Sequence, residues 1–145
     1  MDIKVLVPET DYEAISKAIQ KEFPQPAREN IPQYPLIISV IIDHVIVDFL
    51  LALPGYEEQM IERAIRRNLG GRSVWICSAE DLIIQKAVAD RARDWPDIEA
   101  LLIEQYGKLD ESYIENWLSQ FAEALEKPAM LAQYKDLFRK IKSLS

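Results

Sequence analysis

The chain has 145 residues, 28% of them charged, and a net charge of −7. That length suits one domain, and the acidic balance argues against a general binder of nucleic acid or of anionic membranes while leaving room for a local basic patch. A single cysteine, Cys77, excludes an internal disulfide and fits a reducing cytoplasm; in a strand it reads as a small core hydrophobe.

Asp2-Ile3-Lys4-Val5-Leu6-Val7 reads as a first strand, with Asp2 and Lys4 on one face because strand side chains alternate. Thr10-Asp11-Tyr12-Glu13 reads as a capping box that opens a helix whose Tyr12, Ile15, Ile19 and Phe23 face a core. A proline-rich connection follows over 24–35. The apolar run 36–42, a turn at Asp43-His44 and the strand Val45-Ile46-Val47-Asp48-Phe49-Leu50-Leu51 then make a β-hairpin. Neither apolar stretch reaches the roughly 20 residues of a membrane span, so no membrane partner is expected.

After Pro54-Gly55 the spacing of Tyr56, Met60, Ile61, Ala64 and Ile65 predicts a helix with Arg63, Arg66 and Arg67 toward solvent. Gly70-Gly71 turns the chain into a short strand at 73–77. Four helices complete it. Ser78 caps the first, Asp94 or Trp95 the second, Asp110 the third, and Pro128 opens the last. Trp75, Trp95 and Trp117 fall in core-compatible positions. The expected fold is α+β: a mixed sheet within residues 2–77, then a helical bundle over 78–145, together one domain.

Asp48 is the outstanding candidate. A carboxylate among β-branched and aromatic residues is costly unless something binds it. If the two early strands pair, Asp2, Lys4 and Asp48 come together. Lys86 and Asp90 form an i,i+4 pair on the first C-terminal helix. His44, in a turn with no second His or Cys nearby, reads as a turn residue.

Three segments in this order resemble the DNA polymerase beta-like nucleotidyltransferase superfamily. They are the strand Asp2-Ile3-Lys4-Val5-Leu6-Val7-Pro8, the strand Val47-Asp48-Phe49-Leu50, and the helical stretch from Ser78-Ala79-Glu80-Asp81 through Lys86 to Asp90-Arg91-Ala92-Arg93-Asp94-Trp95-Pro96-Asp97-Ile98. The last is similar to a segment of small prokaryotic members, the abortive-infection, toxin-like nucleotidyltransferases. The resemblance implies magnesium held by Asp2 and Asp48, which would be the catalytic residues. It also implies nucleotide contacts from Lys4, Lys86 and Arg91, and transfer of a nucleoside monophosphate from a triphosphate to protein or RNA.

Two departures lead us to expect catalysis to be impaired or absent. The superfamily presents a Gly-Gly or Gly-Ser turn before its acidic strand, and this chain begins at that strand. Lys4 stands where the second acid belongs, and an ammonium repels a neighbouring cation by about 4 kcal/mol per unit charge at about 4 Å and a dielectric near 20. The alternative expectation is a non-catalytic interaction module, a homodimer or one half of a toxin–antitoxin-like pair.

Overall fold

The computed structural model describes residues 2–6, 11–27 and 36–144. The fold is α+β, in the order β1 (Asp2–Leu6), α1 (Tyr12–Glu22), β2 (Ile37–Ile42), β3 (Val45–Ala52), α2 (Tyr56–Glu62), β4 (Ile65–Leu69), β5 (Arg72–Ile76), α3 (Ala79–Ala89), α4 (Asp94–Glu104), α5 (Glu111–Ala124) and α6 (Pro128–Lys142). Backbone contacts divide it into two units, 1–63 and 64–145.

In the first unit β2 and β3 form an antiparallel hairpin whose two-residue turn places Asp43 and His44 at φ +47° and +68°. Such a doubly left-handed turn matches the twist of the strands it joins. It fixes the register, so that Val40 faces Val47 and Ser39 faces Asp48. β1 runs parallel to β3 on its other edge, giving a mixed sheet in the order β1-β3-β2. Period-2 alternation then sorts the side chains. Ile38, Val40, Val47 and Leu51 are buried with Ile19 of α1, and Ile3, Ile15, Phe23 and Phe49 pack around them. The Phe23 and Phe49 rings stack at 5.9 Å. The opposite alternation carries Ser39 and Asp48, both half-buried, with Ile37 and Ile46 exposed.

The Thr10 cap, the Tyr12 side chain and most of the proline-rich connection lie outside the described residues. Among those described, Asp11 occupies the N-cap position of α1 and makes no side-chain capping hydrogen bond.

The helix expected to run through Ile65 stops at Glu62, and Ile65–Leu69 is instead a strand paired with β5. Gly70 and Gly71, at φ +58° and +82°, make the same kind of left-handed two-residue turn as Asp43-His44. The Asn68 side-chain oxygen accepts a hydrogen bond from the Gly71 N–H. Turn chemistry therefore decides the fate of this segment, over an apolar spacing that also fits a helix. Two further expectations are corrected here. Trp75 is 69% exposed and Cys77 is exposed, so neither is a core residue.

The four helices of the second unit share a core of fully buried Ile83, Ile84, Ala87, Ile98, Leu102, Ile114 and Leu118, closed by Met130, Tyr134 and Ile141. Their starts follow the expected chemistry. The Ser78 hydroxyl accepts from the Asp81 N–H at 3.1 Å, the Asp110 carboxylate accepts from the Tyr113 N–H at 3.0 Å, and Pro128 occupies the first turn of α6. At α4 the cap position belongs to Arg93, with Asp94 one residue inside the helix. Among the described residues no helix is long and apolar enough to cross a membrane.

Candidate functional site

The parallel pairing of β1 with β3 sets Asp2 opposite Asp48 and Lys4 opposite Leu50. The side chains of Asp2 and Lys4 themselves lie outside those described. On the other edge of β3, the Ser39 hydroxyl donates to one oxygen of the Asp48 carboxylate at 2.5 Å. A hydrogen bond to an ionised acceptor is among the stronger kinds, and this one fixes the orientation of the carboxylate while using one oxygen. Ser39 carried no weight in the sequence. Its role could have been found by counting back from the Asp43-His44 turn, which makes positions 39 and 48 face each other.

A hollow of about 210 Å³ lies between the C-terminal end of α1 and β2, lined by Gln20, Phe23, Pro24, Pro26, Ile38, Ser39 and Val40. Asp48 is absent from that lining. Ile38 and Val40 belong to the alternation opposite Asp48, whereas Ser39, also in the lining, faces Asp48 and donates to its carboxylate. His44 sits exposed in its turn. Among the described residues no three His, Cys, Asp or Glu side chains gather in a way that would hold a metal ion.

The helical unit contains two other acid centres, both more deeply enclosed. Asp81 is fully buried. Its carboxylate accepts from the Ser78 hydroxyl at 2.6 Å and from the Tyr113 hydroxyl at 2.9 Å, tying the start of α3 to the start of α5. Glu80 adds a parallel tie by accepting from the Asp110 N–H. The first turn of a helix also favours a negative charge.

Asp94 is 2% exposed and gathers the family-like polar residues. Arg91 reaches it with two guanidinium nitrogens, at 2.5 and 3.2 Å, and Lys86 approaches at 3.5 Å. Lys86 also binds Asp97 at 2.6 Å. The hydrogen bond and charge of Arg91, helped by Lys86, hold the Asp94 carboxyl below its ordinary range against the opposing effect of desolvation. Lys86 and Arg91 are thus brought together, clasping α3 to α4. The expected pair of Lys86 with Asp90 does not form. Asp90 ends α3 in the left-handed conformation, and its carboxylate accepts from the Trp95 indole N–H.

At Cys77 desolvation, and then the charge of Asp81, push the thiol above its ordinary value. That disfavours the thiolate and with it nucleophilic chemistry.

One family model, described as nucleotidyl transferase of unknown function (DUF2204), matches residues 4–135. That span takes in β3 with Asp48 and nearly all of the helical unit. No curated protein matches the chain.

Proposed function

The chain belongs to this family of nucleotidyl transferases of unknown function, and on that premise we propose that it takes a nucleoside triphosphate at its acidic strand pair, with transfer chemistry weakened by Lys4. One observation supports the reading above the others: the register that sets Asp2 against Asp48, with Ser39 steadying the Asp48 carboxylate from the far side.

The donor set bears on the metal. Magnesium prefers hard oxygen ligands in an octahedral array and keeps several waters. Asp2 and Asp48 suit one such ion, and Lys4 removes the third carboxylate that a two-ion centre would use. When bound, the ion would offset triphosphate charge. The chain's own groups do the rest in this reading. Asp48 is held in one orientation by Ser39, and Lys4 offers its ammonium to a phosphate oxygen. The acceptor hydroxyl, on protein or RNA, attacks the α-phosphorus and gives its proton to water; the bond from the α-phosphorus to the bridging oxygen breaks and pyrophosphate leaves. Lys86 and Arg91 act on this view as a clasp between helices, because their charges already meet Asp94 and Asp97.

A rival reading, a non-catalytic module that pairs with a second copy or another protein, draws on the exposed Ile37, Val45 and Ile46 of the β2–β3 hairpin.

The test is a transfer assay with labelled triphosphates, magnesium and cell extract, alongside the thermal shift produced by ATP and magnesium. The wild type should bind and transfer weakly, Asp48→Asn should lose both responses, and Lys4→Asp should raise transfer at least about tenfold, the worth of roughly 1.4 kcal/mol of transition-state stabilisation. Responses that survive Asp48→Asn unchanged would remove the acidic strand pair from the account.

A further inference from the structure

The β4–β5 hairpin is the most exposed element of regular structure in the helical unit. Residues 64–77 carry three arginines and no acid, in a chain of net charge −7. Every residue of β4 after Ile65 is exposed, and in β5 only Val74 is not. The register places Arg66 opposite Trp75 and Asn68 opposite Ser73, so these four side chains share one face. Arg67 and Arg72 lie on the other alternation, where they still border the same narrow ribbon.

The shared face is organised. Arg66 donates through its Nε to the Ser73 hydroxyl and holds its guanidinium carbon 6.0 Å from the centre of the Trp75 ring. Trp75 remains 69% exposed, a large apolar area left in water on a monomer. Among the described residues none of Arg66, Arg67 and Arg72 forms an ion pair. A second copy of the same hairpin would bring arginine against arginine, which disfavours self-pairing through this face.

We propose that the β4–β5 hairpin is a docking surface for single-stranded nucleic acid. A flat aromatic face takes a base by stacking, Arg66 beside it takes a backbone phosphate, and Arg67 and Arg72 extend the positive charge along the ribbon edge. Charge complementarity supports the assignment: the hairpin is a local basic ribbon on an acidic protein, so it engages a polyanion by contact while the rest of the surface repels it. Binding is therefore weak, insensitive to base sequence and strongly dependent on salt. This surface stands independently of the nucleotide reading.

The test is fluorescence anisotropy with a labelled oligouridylate of about twelve nucleotides, within the range of single-strand site sizes. One phosphate contact from Arg66 on the Trp75 face, and up to two more where the strand crosses the ribbon edge to Arg67 and Arg72, predict that log affinity falls with log salt at a slope between about −0.7 and −2. Trp75→Ala should weaken binding about tenfold, and Trp75→Phe should retain most of it because the ring is kept. Changing Arg66, Arg67 and Arg72 together to serine should abolish both the binding and its salt dependence. Asp48→Asn should bind as the wild type does, which separates this result from failure at the acidic strand pair. Equal binding of polyglutamate of matched charge, or indifference to Trp75→Ala with the fold intact by circular dichroism, would overturn the proposal.

Discussion

Asp48 in the sheet and Asp81 in the helical unit are both carboxylates in largely apolar surroundings, and they are furnished very differently. Asp81 is fully buried, with hydroxyl donors on both oxygens and a position in the first turn of α3. Asp48 is half-buried and receives a hydrogen bond from Ser39 on one oxygen. A carboxylate whose acceptor sites are occupied from within the protein contributes to folding. One steadied on a single side keeps capacity for an outside ligand. The contrast separates a structural acid from a candidate functional one more sharply than burial alone does.

The same substitution at the two positions breaks this comparison most directly. Asp81→Asn replaces an acceptor-only group with an amide that must point a donor at one of two hydroxyls, inside a site closed to water. We expect a loss of about 2–3 kcal/mol in urea unfolding, the scale of a stranded buried polar group. Asp48→Asn should change stability by less than about 1 kcal/mol, since solvent can reach the site. Equal losses would assign both acids to the fold. Ser78→Ala comes next. It removes the cap of α3 and one donor to Asp81 together, for an expected cost of about 1–2 kcal/mol. Ser39→Ala should cost about 1 kcal/mol, and its larger effect should fall on ligand binding at Asp48.

Acid titration sharpens the contrast within the helical unit. The carboxyl of Asp94 sits below its ordinary value in the folded protein because Arg91, and then Lys86, favour its charged form. A group depressed on folding stabilises the protein above its unfolded value, near 3.9, and that contribution disappears as pH falls through the lower folded value. The wild-type melting midpoint should therefore fall more steeply with pH once the pH drops below the ordinary carboxylate range. In Asp94→Asn that part of the slope should be missing, with the midpoint already lower at pH 7.

How much of this was legible in the sequence depended on whether the signal was local. The β2–β3 hairpin, the caps at Ser78 and Asp110 and the stripes of α5 and α6 were readable, because period and capping residues lie close together in the chain. The sequence conceals β4 because Ile61, Ala64 and Ile65 continue a helical spacing, while the strand's own alternation is mute: nearly all its side chains face water. Residue type alone points Trp75 toward a core, and it cannot tell whether anything covers a ribbon. Asp48 stood out as a charge inside a strand. Ser39 is visible only once the turn register is counted. The partners of Lys86 lie across the break between two helices, where periodicity carries no information.

The smallest expected effect concerns Tyr134, which sits 1% exposed in the helical core beside the ring of Phe138, 6.2 Å away. Its hydroxyl is buried without a hydrogen-bond partner among the described residues. Desolvation first, then the charges of Glu115 and Glu111, push its ionisation upward, so the group stays a neutral phenol at any ordinary pH. A buried hydroxyl with no partner loses its bond to water and gains nothing in return. Removing the oxygen alone should therefore be tolerated. Tyr134→Phe keeps the ring and its stacking, deletes the stranded group, and is expected to leave stability unchanged or raise it by up to about 1 kcal/mol in thermal or urea melts. A loss above that size would mean the hydroxyl does bond in solution, through a bound water or a shifted Glu115. The helical unit would then hold a third polar centre, one in which Tyr134 is a tie between helices like Tyr113, and the distinction between its saturated acids and its apolar core would need redrawing.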